Sequence, residues 1–167
     1  MGLVAQEFEM TMTQGARANQ AGKILESNVE TILSVHGYFQ VGNHVSKEFL
    51  FDASLLAKRY AKQVYIGSGI YKTTLKVDFY VVGSPVMPSG LIIECKWQES
   101  GGSVDEKFPY LNLNIQDSYP APTIVVIGGE GMREGAIKWL RQQVACNHNL
   151  LAVHTLDRFI AWSNNHL

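Results

Sequence analysis

Between residues 19 and 36 (NQAGKILESNVETILSVH), Leu25, Val29, Ile32, Leu33 and His36 recur at i, i+4, i+7 and i+8. That spacing predicts an amphipathic helix, and Gly37 is placed to stop it. Glu26 lies one residue off Leu25, at the edge of the stripe, where it can reach whatever the helix packs on. Tyr38 to Phe51 reads as extended, and Ser54 to Gln63 as a short helix or an irregular basic segment. Strands are predicted at Val64–Ile66, Tyr71–Val82 and Gly90–Trp97, and a helix interrupted by Pro109 over 104–118. The β-branched run Thr123–Ile127, between Pro122 and Gly128, predicts a strand buried on both faces. An amphipathic helix over Gly131–Val144 turns Ala136, Ile137, Leu140 and Val144 inward. A strand over Asn149–His154 and a helix over Leu156–Trp162 follow. There is no internal repeat or linker. The order fits an α/β domain with a mixed sheet, an antiparallel meander first and a parallel, right-handed crossover last, with helices on both faces.

The loop GSPVMPSG (83–90) joins KVDFYVV to LIIECKWQ, and its glycines and prolines mark a turn. Paired positions of a symmetric antiparallel hairpin have a constant sum. Asp78 and Glu94 sum to 172, which centres on the loop, so they are expected opposite each other with Cβ atoms roughly 5 Å apart. Parity places Leu91, Ile93, Cys95 and Trp97 with Val77, Phe79 and Val81 on an apolar face. Ile92, Glu94, Lys96 and Gln98 share the other with Asp78, Tyr80 and Val82. Facing carboxylates repel. A divalent cation between them resolves the conflict, and hard oxygen ligands suit Mg²⁺. Lys96 can hold a water, help deprotonate it, or steady developing negative charge, as metal-assisted phosphodiester hydrolysis requires.

Asp78, then Glu94-Cys95-Lys96 after a hairpin, resembles the PD-(D/E)XK nuclease superfamily. The resemblance spans roughly residues 19–162, from the helix carrying Glu26 to the strand–helix–strand–helix tail. The string VDFYVVGSP…GLIIECKWQESGG is also similar to the cleavage domains of some type IIS restriction enzymes. The resemblance implies a restriction-endonuclease-like fold, a mixed β-sheet core flanked by helices. It further implies that Asp78, Glu94 and the Cys95 carbonyl bind metal, that Lys96 is the catalytic lysine, and that Glu26 is an auxiliary carboxylate acting directly or through water. Val77 stands where the motif has proline. An E-x-K triplet alone recurs by chance about once in a few hundred residues. The aspartate across the hairpin supplies the specificity.

Lys58, Arg59, Lys62, Lys72 and Lys76 put five of the 14 basic residues into the 22 positions from 55 to 76, interleaved with Tyr60, Tyr65 and Tyr71 and without an acid. They read equally as a phosphate-tracking stripe and as a solvated surface. Gln98 reads as a ligand of phosphate or water, or as a strand-end amide. Asp105 and Glu106 read as a helix start, with Lys107 and Tyr110 as candidates to face nucleic acid. The GGEGMREG glycines suit a strand-to-helix turn, and the five histidines form no paired motif.

The 167 residues suffice for one domain, with 1–18 as an N-terminal tail and 19–167 as the domain. A net charge of −1 withholds a global basic field and leaves RNA open beside DNA. Cys95 and Cys146 fit no metal spacing and suit a reducing compartment. No apolar run is long enough to span a membrane, and the opening MGLVAQ carries neither a signal peptide nor a myristoylation pattern. The expectation is a cytoplasmic, Mg²⁺-dependent DNA endonuclease, with Mn²⁺ able to substitute, of restriction type or of repair or junction type. It would work as a homodimer bearing two sites. The alternative is an inactive nuclease-fold subunit for nucleic-acid binding or assembly.

Overall fold

The computed structural model describes residues 13–167; the MGLVAQ opening lies outside them. Helix α1 runs Gln14–Val35, starting within the segment read as tail, because Thr13 caps it by accepting from Ala16 N–H at 3.2 Å. It ends at Gly37 (φ 82°), where Gly37 N–H bonds Ser34 O and Tyr38 N–H bonds Leu33 O, both at 3.0 Å. A left-handed residue closing two orphan carbonyls is the reason glycine stands there.

The remaining elements are β1 (Phe39–Asn43), α2 (Lys47–Leu50), β2 (Arg59–Ser68), β3 (Thr74–Val82), β4 (Leu91–Trp97), a 3₁₀ turn (Asp105–Lys107), α3 (Phe108–Asp117), β5 (Thr123–Gly128), α4 (Glu134–Gln143), β6 (Leu150–Thr155) and α5 (Leu156–His166). One six-stranded mixed sheet runs β1-β2-β3-β4-β5-β6. The β2–β3–β4 meander is antiparallel, whereas β1 joins β2, β5 joins β4 and β6 joins β5 in parallel. The α/β fold with helices on both faces is the expected one.

Three local expectations fail. Residues 59–63 are strand, not helix, because β2 is hydrogen-bonded on both sides. The extended reading of 38–51 holds only to Asn43, since Ser46 caps α2 by accepting from Phe49 N–H. Pro109 does not interrupt a helix: it sits in the first turn of α3, where its missing N–H costs no bond.

The sheet has two buried sides. On one, Phe79, Val81, Leu91, Ile93, Ile124 and Val126 meet Leu25, Val29 and Leu33 of α1 and Phe159 of α5. On the other, Tyr80, Ile92, Val125 and Ile127 meet Phe108, Leu111 and Ile115 of α3 and Leu140 of α4. The even-numbered face of β3 and β4 is therefore largely a second core, and its polar character is confined to β3 up to Asp78 and to the C-terminal half of β4. β5 is buried on both faces, as its unbroken apolar run predicts.

Candidate active site

Pairs Val81–Leu91, Tyr80–Ile92 and Phe79–Ile93 each sum to 172, so the hairpin adopts the predicted register. The ladder stops one row before Asp78 and Glu94. There the strands part, and Asp78 Oδ2 accepts from Cys95 N–H at 2.8 Å in place of a backbone pair. On the other side of β3 the β2 ladder skips the same row: Lys62 pairs with Phe79 and Val64 with Val77, with Gln63 and Asp78 between them. Gln63 sits at φ 50° and donates Nε2 to Asp78 Oδ1 at 3.4 Å. This left-handed residue breaks strand alternation. Lys62 lies over the Phe79 ring on the α1 side, whereas Val64 and Val77 join the α3–α4 core. Val77 therefore leaves the face that parity assigns to it.

The gap in both ladders creates a polar opening between two cores. Lys96 Nζ lies 2.6 Å from Glu94 Oε2 and 3.3 Å from Asp78 Oδ2, bridging the two carboxylates. Glu94 is 3% exposed, and its Oε1 accepts from the Tyr119 hydroxyl at 2.6 Å. Burial is the main reason the Glu94 carboxyl is raised to about 7; Asp78 adds to the rise, and Lys96 and Tyr119 oppose it. Burial also works against ionising Asp78, but Lys96, Glu94 and the Cys95 N–H hold it below the ordinary range. For Lys96, burial is outweighed by the two carboxylates, and its pKa is raised. A firmly protonated lysine holds water or stabilises anionic charge; it is a poor base.

Glu26 reaches the same opening from α1. Its pKa is raised by burial and then by Asp78, against Lys62. Lys62 Nζ sits 2.5 Å from Glu30 and 3.6 Å from Glu26. A cavity of about 370 Å³ beside the opening is lined by Ala18, Gly22, Lys23, Glu26, Cys95 and Lys96, among others. Asp78, Glu94, Lys96, Cys95 and Glu26 thus gather in one region.

Several basic and amide candidates do not gather there. Arg59 is buried, and its guanidinium donates to Leu50 O at 2.7 Å, Leu56 O at 2.8 Å and Ala57 O at 3.4 Å. It pins the loop before β2, so it leaves the phosphate-tracking stripe. Arg59→Met is expected to lower stability by about 1–3 kcal/mol in urea unfolding, since it orphans these carbonyls. Lys58 donates to His36 O and Leu167 O, tying the end of α1 to the end of α5. Gln98 is likewise a structural amide, not a phosphate ligand: it donates to Gly131 O at 2.8 Å and accepts from Asp105 N–H at 3.1 Å. Lys72, Lys76 and Lys107 are exposed, and Tyr110 is half-buried. Asp105 and Glu106 form the 3₁₀ turn before α3, and Asp105 also accepts from Arg133. Gly129 and Gly131 serve the turn after β5, where a side chain at either would strike the backbone of Gln98 or Ser100.

Tyr119, Gln63 and Glu30 carry no sequence signal. Tyr119 precedes a Pro-Ala-Pro loop in which nothing in spacing points to Glu94, and Gln63 acts through a backbone conformation that its residue type does not announce.

Metal chemistry fits the donors only in part. Among the described residues, no group of three or more His, Cys, Asp or Glu side chains could hold an ion together. Asp78 and Glu94 nevertheless offer two hard carboxylates, and the charge of Asp78 adds to the raised pKa of Glu94. One or two carboxylates, completed by water and substrate phosphate, suffice for Mg²⁺.

Fold and site define an α/β protein whose mixed sheet parts over a carboxylate–lysine cluster. The family model of the PD-(D/E)XK nuclease superfamily domain matches residues 17–167, and the chain belongs to that superfamily. Its nucleases generally use divalent metals. No curated protein and no solved structure matches the chain significantly. No helix among the described residues is long and apolar enough to cross a membrane.

Proposed function

We propose that this single-domain protein is a Mg²⁺-dependent endodeoxyribonuclease working in the cytoplasm, with Asp78, Glu94 and the Cys95 carbonyl as the metal-binding set. The observation that carries the reading is the Lys96 ammonium shared by Asp78 and Glu94 where β3 and β4 part. A bound divalent cation supplies Lewis acidity and neutralises phosphate charge. The chain's own residues do the rest. Asp78, fixed by the Cys95 N–H, keeps its charge and its direction. Lys96 leaves its carboxylates to hold the attacking water or to steady the phosphate in the transition state. Glu94 is held by Tyr119 when that happens. Glu26 acts as a nearby auxiliary carboxylate once Lys62 releases it. Lys72, Lys76 and Lys107 track the DNA backbone.

The test is nicking of supercoiled plasmid with Mg²⁺ or Mn²⁺ against EDTA. Metal-dependent nicking lost in Glu94→Ala supports the reading. Inert wild type across several DNA forms and metals overturns the enzyme and leaves the inactive nuclease-fold subunit. Nicking that survives in Glu94→Ala and Lys96→Ala sinks the site. A homodimer with two sites would cut both strands. Light scattering is expected to show twice the chain mass, and a monomer that makes double-strand breaks overturns that part.

A further inference from the structure

The β2–β3 connection, residues 69–73, extends beyond the last β3–β4 pair and ends in an aromatic pair. Tyr71 is 72% exposed, yet its ring stacks on Tyr110 of α3 with centroids 4.9 Å apart and planes at 29°. The tip is held in place. Gly69 N–H bonds Thr73 O and Lys72 N–H bonds Gly69 O, both at 2.9 Å, while Asn114 of α3 accepts from Ile70 N–H at 2.9 Å. Lys72 adopts φ 60°, a conformation costly for a side-chain-bearing residue, next to the exposed ring. Leu113, 44% exposed, continues the apolar surface one turn along α3 from Tyr110.

Two exposed cations flank this pair along the chain, Lys72 directly after Tyr71 and Lys107 one turn before Tyr110. The neighbouring Glu106 is paired with Arg133 at 3.1 Å. An exposed aromatic face with Lys72 and Lys107 beside it in the chain matches a nucleobase with its phosphates: the ring stacks on a base without reading its sequence, and the lysines pair the backbone. A base inside a duplex already has its faces covered, so the available partner is an unpaired one. From Thr74 to Asp78 the strand rises about 13 Å, roughly four nucleotide steps of a duplex strand.

We infer that the Tyr71–Tyr110 pair is a stacking platform for an unpaired base, and that the favoured substrate is DNA with a single-stranded segment flanking the cleaved region. This deepens the nuclease reading and rests on it. The test is fluorescence anisotropy in EDTA, which reads binding without cleavage, with a fluorescein-labelled blunt duplex and the same duplex bearing a single-stranded tail. Wild type is expected to prefer the tailed probe. Tyr71→Ala is expected to weaken tailed binding about tenfold and duplex binding less than about twofold, with Tyr71→Phe like wild type. Wild-type affinity of Tyr71→Ala for the tailed probe overturns the platform. So does an equal loss on both probes with a lowered melting temperature, which marks the pair as a loop staple. If wild type binds neither probe, the nucleic-acid reading falls as well.

Discussion

Lys96→Ala is expected to reduce Mg²⁺-dependent plasmid nicking about 10²- to 10³-fold, the effect of removing a positioned charge from a reacting oxyanion. The side chain is a quarter exposed, so it can turn to substrate, yet its ammonium lies within 3.3 Å of both carboxylates. Its raised pKa keeps it cationic throughout the neutral range. Lys96→Arg keeps the charge but trades a point donor for a planar fork, and is expected to recover only part of the rate. Initial rates at saturating Mg²⁺, with a thermal melt to verify folding, decide the matter. A folded Lys96→Ala protein with undiminished rate removes Lys96 from the mechanism.

Glu94→Gln is expected to do two opposite things: abolish nicking and stabilise the metal-free protein. An amide keeps the shape, can accept from Lys96 and can meet Tyr119, but requires no buried charge. In the folded protein the Glu94 carboxyl is raised from an ordinary 4.5 to about 7, so between these values the folded state holds a proton that the unfolded chain has released. Its contribution to stability is full below about 4.5 and is lost as pH rises through about 7. Asp78, held low, gives the opposite slope only in more acidic solution. Urea unfolding in EDTA should therefore show the wild type losing on the order of 2–3 kcal/mol between pH 5 and pH 8. Glu94→Gln should be flatter, with Glu26 keeping a slope of the same sign, and the more stable at pH 8. Parallel wild-type and variant profiles would show that Glu94 does not titrate across this range. A site that buries a carboxylate in its resting state and loses stability for it fits the trade of stability against activity at functional centres.

Much of this was legible in the chain. The period-3.6 stripe of α1, the two-sided apolar run of β5 and the amphipathic α4 follow from burial alone, so the mixed α/β architecture could be read directly. The hairpin register followed from the length of a Pro- and Gly-rich loop, and with it the meeting of Asp78 and Glu94. Basic residues were less legible. Arg59 and Lys72 look alike in sequence, but one feeds three carbonyls in the interior and the other stands on a loop tip. Burial depends on the β1 pairing and on loop 51–58, which no local pattern encodes.

The sequence by itself determined the first helix, the order of elements from β3 onward, the register of β3 on β4, and the set of acid–acid–lysine residues at the end of that hairpin. Periodicity and loop length are local properties, and those features depend on little else. Only the tertiary structure decided that the even-numbered face of the hairpin is core, that a left-handed Gln63 breaks the alternation, and that Tyr119 holds Glu94 from 25 residues away. Those features arise where distant segments meet, because a buried carboxylate must find its donors wherever the packed chain supplies them.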